Sequence, residues 1–281
     1  MSVADSITAA RHSVMLVAAD MTTIVAKGSD RLSWLNGLVT CELKNLEPGH
    51  AVYGLTVAKK GRIVSDLVIA STKDALIVVV PASLRDELLA AFDHYLVMED
   101  VELTKGDDAV FFLHGPRAKE APGITAEIDF TGLGGAIAVG AKPDVSVVGG
   151  VEGDDAAWEA LRLEQGVPRF GRDFDANTYP QEASLEKRAV SFDKGCYLGQ
   201  EVVCMLELRG HVKQKLVPIT LSAAVPAGAS VTDADGKEIG RVTSVAFGPT
   251  SNAHVGLAMV KRSFAEPGSV LRAGDATLHV R

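Results

Sequence analysis

Apolar positions recur along this chain with two periods, and the change between them predicts its organisation. "TTIVAKG" (22–28) alternates and is β-branched, which predicts a half-buried strand. "SDRLSWLNGLV" (29–39) places Leu32, Leu35 and Leu38 or Val39 on one face, which predicts a helix capped by Ser29 or Asp30. "AVYGLTVAKKGRIVSDLVIAS" (51–71) predicts two strands joined by a turn at Lys59-Lys60-Gly61, and "DALIVVVP" (74–81) a third. The helical period returns in "SLRDELLAAFDHYL" (83–96), with Ser83 and Asp86 spaced as a capping box and Leu84, Leu88, Phe92 and Tyr95 as its apolar stripe. "DAVFFLHGP" (108–116) is a strand ending in a turn. "DDAAWEALRLEQG" (154–166) is a helix started by Asp154 and closed by Gly166. "VPRFGRDFDANTYPQEASL" has no regular period, and "EVVCMLEL" around Cys204 is strand-like.

Beyond His211 the helical period disappears. "QKLVPITLS", "SVTDADGKEIGRVTSVAFG" and "HVGLAMVK" are short strands between Gly, Asp and Pro turns, with Asp235-Gly236 a hairpin signal. The pattern predicts a small all-β unit over 212–281 behind a mixed helix-and-strand region over 1–211.

Composition narrows the function classes. The net charge of −8 over 281 residues argues against a nucleic-acid binder, though an anionic small ligand could still meet a local basic pocket. No apolar run approaches the ~18 residues of a membrane helix, and no signal peptide opens the chain. The glycines of "TGLGGAIAVG" do not form a dinucleotide loop. Three scattered cysteines make no disulfide framework, which fits a reducing, cytoplasmic compartment.

Three stretches can carry chemistry. In "KGCYLGQEVV", Cys196 is either a buried small side chain or a thiol activated by Lys194. A metal site formed with Cys204 and His211 lacks the paired spacing of zinc modules, and none is expected. In "LRLEQGVPRFGRDF", Arg162 and Glu164 are either a solvated helix end or a fork for a flat heterocycle. In "KKGRIVSD", the basic turn of Lys59, Lys60 and Arg62 is either a solvated edge or an attractor for an anionic tail, with Asp66 opening the next strand.

Together these stretches resemble the YgfZ/GcvT family of tetrahydrofolate-binding proteins over nearly the whole chain. "KGCYLGQE" is similar to the signature of the YgfZ branch, and "LRLEQGVPRFGRDF…YPQEASL" follows the family's Arg-x-Glu-x-Gly pattern. The resemblance implies an α+β fold of two interleaved GcvT-like folate-binding subdomains, followed by a small C-terminal β-barrel. It implies tetrahydrofolate or a one-carbon derivative as cofactor, held by Glu164, Arg162, Tyr53, Asp66, Tyr197 and Gln200. It also implies a role in iron–sulfur cluster assembly or repair, with Cys196 as the essential thiol, Lys194 beside it, and iron–sulfur client enzymes or assembly proteins as partners. The related T-protein uses an Asp of a Gly-Gly-x-x-Asp-Asp stretch. Here Ser65 stands at the first Asp and Asp66 at the second, which argues against aminomethyl transfer. The first expectation is therefore a folate-binding accessory factor, the second a one-carbon transferase working through Asp66, and the third a folate-binding module without chemistry.

Overall fold

One residue, Asp20, separates two strands that enter different sheets. β1 (Met15–Ala19) and β2 (Met21–Lys27) follow the first helix, α1 (Val3–His12), in a computed structural model that describes residues 1–210 and 212–281. The next elements are α2 (Arg31–Asn36), β3 (Ala51–Val57), β4 (Ile63–Ser71), β5 (Leu76–Pro81), α3 (Arg85–Asp93) and β6 (Glu102–Lys105). β7 (Val110–His114), β8 (Ala126–Glu127), β9 (Gly135–Val139), β10 (Val151–Glu152) and α4 (Asp155–Glu164) complete the mixed region, before α5 (Glu186–Ala189) and α6 (Gln200–Arg209).

The strands form two five-stranded sheets, ordered β10-β1-β7-β9-β8 and β3-β4-β5-β2-β6. Because β1 and β2 are consecutive yet belong to different sheets, the two halves interleave. A shared apolar layer of Val68, Ala70, Val79, Val110, Ala126 and Ile137 packs between them. The outer face of the second sheet buries Ile24, Leu67, Ile69 and Val78 against Trp34, Leu35, Leu88 and Phe92 from α2 and α3.

The last quarter is a closed barrel. Its strands are β11 (Gln214–Leu221), β12 (Ser230–Thr232), β13 (Glu238–Gly248), β14 (Ala253–Lys261), β15 (Val270–Ala273) and β16 (Ala276–Val280), in the order β11-β14-β13-β12-β15-β16. Closure removes the free edges that a short-stranded sheet would expose. Inward-facing Ile219, Val231, Val242, Leu271 and Leu278 fill it. The Asp235-Gly236 turn forms as the sequence predicts, with Gly236 at φ 78° and Asp233 accepting from the Asp235 and Lys237 amides.

Several predicted elements change. The 29–39 helix shortens to Arg31–Asn36, and Asp30 accepts from the Asp100 amide rather than capping it. The 83–96 helix begins with a 3-10 turn over Ala82–Leu84 and has no side-chain cap, because Asp86 turns to Lys105 at 2.8 Å. The strand-like "EVVCMLEL" is the helix α6: Gly199 in the left-handed region starts it and Gly210 ends it. Only Val203 of that helix is buried, so no helical stripe advertises it. α1, which the sequence pattern does not predict, starts at a complete Ser2/Asp5 capping box and buries Ile7 and Ala10. Among the described residues no helix is long and apolar enough to cross a membrane.

Candidate functional site

Strand β4 turns the Ser65-Asp66 pair to opposite sides. Ser65 is fully buried on the side of Leu67 and Ile69, and its hydroxyl donates to the Asp66 carbonyl at 2.7 Å. Asp66 shares its side with Val68 and opens into a cavity of about 770 Å³. Residues from both sheets line it: the β1–β2 junction, Tyr53 on β3, Asp66 to Val68 on β4, and Phe112 and His114 on β7. Trp158 of α4, the loop around Phe130 and the segment Gln165–Gly171 close the remaining sides.

Its wall is aromatic. Phe130 meets Phe112 edge-on at 5.3 Å and Tyr53 edge-on at 5.6 Å, and His114 stacks on Trp158 at 4.4 Å. Such faces suit a flat ring. Two guanidinium groups also line the cavity. Arg169 pairs with Asp155 at 2.7 Å and Glu159 at 2.8 Å, and Arg188 donates to the Phe130 carbonyl at 3.0 Å.

The Tyr53 hydroxyl donates to Asp66 at 3.1 Å. Burial pushes the Asp66 carboxyl up to about 6, against the opposing pull of that hydrogen bond and of Arg169. Burial, followed by the neighbouring Asp66 charge, pushes the Tyr53 phenol well above its ordinary value, so it stays a donor. A carboxyl with this value can hold or release a proton near neutral pH.

The other expected residues lie elsewhere. Arg162, fully buried, binds Glu159, the Asp173 carboxylate at 2.7 Å and the Ser244 hydroxyl at 2.9 Å, joining α4 to barrel strand β13. Glu164 accepts from the Thr250 and Ser251 amides at 2.8 and 3.0 Å and pairs with Arg11. Both side chains are spent on seating the barrel, and neither lines the cavity. Of the basic turn, Lys59 and Lys60 are exposed, while Arg62 donates to the Asn177 carbonyl and lies 4.8 Å from the Tyr179 ring centre.

Lys194 is bonded to backbone rather than to a thiol. Its ammonium is buried and donates to the carbonyls of Asn36, Val39 and Cys41, at 2.8 and 2.9 Å for the first two. Cys196 is exposed, Cys204 half-buried and Cys41 buried. Tyr197 packs among Leu55, Val57, Phe174 and Val203, and Gln200 accepts from the Tyr197 amide at the start of α6. Gly199 is where the signature is structurally demanding, since a Cβ there would lie 2.4 Å from the Ala58 carbonyl oxygen. His211 lies outside the described residues. Among the described residues no group of three His, Cys, Asp or Glu is placed to hold a metal.

The structure thus brings Tyr53 and Asp66 together and leaves Glu164, Arg162, Tyr197, Gln200, Lys194 and Cys196 outside the cavity. Sequence reasoning missed Phe112, His114, Phe130, Trp158, Arg169 and Arg188. One signal was present: in "VFFLH", Phe112 and His114 alternate onto one strand face, an aromatic and a polar group where an aliphatic pair is the ordinary filling.

Comparison with known proteins agrees with this architecture. Residues 1–130 match the GCVT N-terminal domain and residues 214–276 the glycine cleavage T-protein C-terminal barrel domain. A putative chloroplastic transferase of Arabidopsis thaliana is 25% identical over 90% of this chain, which spans 66% of that protein's length. An aminomethyltransferase of Thermotoga sp. (strain RQ2) is 28% identical over 93% of this chain and 82% of its own. The mitochondrial aminomethyltransferase of Canis lupus familiaris is 26% identical over 93% and 75%. The crystal structure of the glycine cleavage system aminomethyltransferase T from Bartonella henselae superposes with a TM-score of 0.82, at 19% identity, over 100% of this chain and 88% of that one, and so has the same fold. With both domains matched in order and together spanning more than half of its length, the chain belongs to the GcvT-like family.

Proposed function

We propose that the cavity binds a reduced folate and that the protein transfers a one-carbon unit, of the aminomethyl class, to or from it, with Asp66 as the proton-handling group. The observation that carries this reading is Asp66 itself: a carboxyl raised to about 6 by burial, hydrogen-bonded to one phenol and opening into an aromatic cavity. The residues present fit such a ligand. The volume of about 770 Å³ lies in the range of cofactor sites, the walls suit a flat ring, and Arg188 offers a cation to an anionic tail. When bound, a reduced folate supplies the nitrogen that carries the one-carbon unit.

This chain's residues do the rest. Asp66 holds or releases a proton at its carboxyl oxygen, Tyr53 orients that carboxylate, and the aromatic wall excludes water. Because Ser65 faces the other side of β4, its place at the first Asp of the family stretch leaves the cavity's carboxylate intact. A serine at that position therefore does not speak against transfer. Incubating the protein with tetrahydrofolate and an aminomethyl donor tests the reading. Folate-dependent turnover supports it, and tight folate binding without turnover refutes the transfer step.

A second reading, the accessory factor of the YgfZ branch acting in iron–sulfur cluster assembly or repair, rests on a different place. Cys196 is exposed, and at Gly195 a Cβ would meet nothing within 4 Å, so nothing among the described residues demands glycine there. A partner approaching Cys196 closely would demand it. A deletion strain complemented with wild type, Cys196→Ala or Gly195→Ala, assayed for iron–sulfur enzyme activities, tests this. Full rescue by both variants removes the reading.

A further inference from the structure

The aromatic wall contains one polar group that the chain itself leaves unused. Phe112 and His114 share a face of β7, and the imidazole lies nearly parallel to the Trp158 ring, at 4.4 Å and 5°, and to Phe112, at 6.3 Å and 25°. The residue is 2% exposed and its Nε2 is buried with no hydrogen-bond partner among the described residues. The charge that acts on it is that of Asp129, whose carboxylate is occupied by the amides of Thr131, Gly132 and Gly134.

An unpaired buried nitrogen costs stability. Phenylalanine would fill the same place in the stack without that cost. Burial holds the imidazole down at about 4, so it is neutral at physiological pH. A neutral imidazole offers one donor and one acceptor, with the tautomer set by whatever binds it. His114 lines the cavity described above.

We propose that His114 is a ligand-reading residue, whose Nε2 completes its hydrogen bonding only when the polar edge of a flat heterocycle occupies the cavity. The assignment rests on the folate reading and deepens it. A pterin-type ring fits the pair of features found here, because it has a face for the aromatic wall and amide and amine groups at its edge for the imidazole. A purely hydrocarbon ring would satisfy the wall and leave Nε2 unpaired.

The test compares wild type, His114→Phe and His114→Gln, the last of which returns a hydrogen-bonding side chain of similar reach. Tetrahydrofolate affinity is measured by calorimetry, thermal unfolding is followed without ligand, and the His114 ring nitrogens are observed by NMR in ¹⁵N-labelled wild type. His114→Phe should bind tetrahydrofolate about tenfold more weakly, yet unfold at the same or a higher temperature. His114→Gln should recover part of the affinity, and the ring-nitrogen resonances should move on titration. Unchanged affinity in His114→Phe, equal loss in both variants, or unmoved ring nitrogens would each overturn the assignment while leaving folate binding intact. Failure of wild type to bind tetrahydrofolate would instead remove the folate reading, and the assignment with it.

Discussion

Lys194 and Asp66 are both ionisable, both sunk in the protein and both drawn from stretches that resemble functional motifs, yet the fold uses them oppositely. Burial lowers the Lys194 ammonium and raises the Asp66 carboxyl, so each is pushed towards its neutral form. The difference lies in their partners. The three N–H bonds of Lys194 are spent on three backbone carbonyls, which tie the segment before Cys196 to the end of α2. Asp66 accepts one side-chain hydrogen bond, from Tyr53, and faces open volume. A buried charge with a full set of partners holds structure, whereas one with spare bonding capacity beside a cavity is available to a ligand.

The comparison breaks most visibly at Lys194. Lys194→Met should lower stability by about 2–4 kcal/mol, because three buried carbonyls lose their donor. Chemical denaturation would measure the loss, and a variant as stable as wild type would mean that the carbonyl cage is not structural.

Asp66→Asn should do the reverse. The folded-state value of about 6 lies above the ordinary 3.8, so ionisation opposes folding. The favourable contribution of the protonated form is complete below about 3.8 and is lost as pH rises through about 6. The Asn variant, which never ionises, should therefore be more stable than wild type by about 1–3 kcal/mol at pH 8. That gain should fade between about pH 6 and 3.8. Unfolding curves across this range give the sign directly, and a gain that grows as pH falls would contradict it.

Glu164 sharpens the contrast. Its carboxylate seats the Thr250-Ser251 turn of the barrel. Glu164→Ala should cost about 1–2 kcal/mol of stability and leave tetrahydrofolate affinity unchanged by calorimetry. A selective loss of affinity would place Glu164 in the ligand site after all.

The smallest effect concerns the thiols, where alkylation followed by mass spectrometry should show Cys196 modified first. Cys41 should be modified last, since it is buried with its thiol pushed up to about 12. Earlier modification of Cys41 would mean that its covering of the Lys194 carbonyl cage opens readily.

The fold was legible where burial writes a period. β2, β3 and β4 are apolar, β-branched runs, Asp154 and Gly166 bracket α4, and Gly and Asp turns punctuate the barrel. α6 was not legible, because one buried residue leaves no stripe and "EVVCMLEL" reads equally as a strand. The site was half legible. Asp66 and Tyr53, which the family resemblance pointed to, stand in adjacent strands of one hairpin. His114, Trp158 and Arg188 come together only through the interleaving of the two sheets, which no local period encodes. Arg162 and Glu164 lie outside the cavity for a related reason. A carboxylate and a guanidinium at a helix end are chemically apt for a ligand, and only the docked barrel reveals that it has taken them.

In the proposed reaction Asp66 is the group whose spare bonding capacity does the chemistry. Folate-dependent transfer of an aminomethyl group, measured for wild type and Asp66→Asn at equal folate saturation, tests it most directly. The rate should be lower by about 10²–10⁴-fold in Asp66→Asn, with tetrahydrofolate still bound. Equal rates in the two proteins would contradict it.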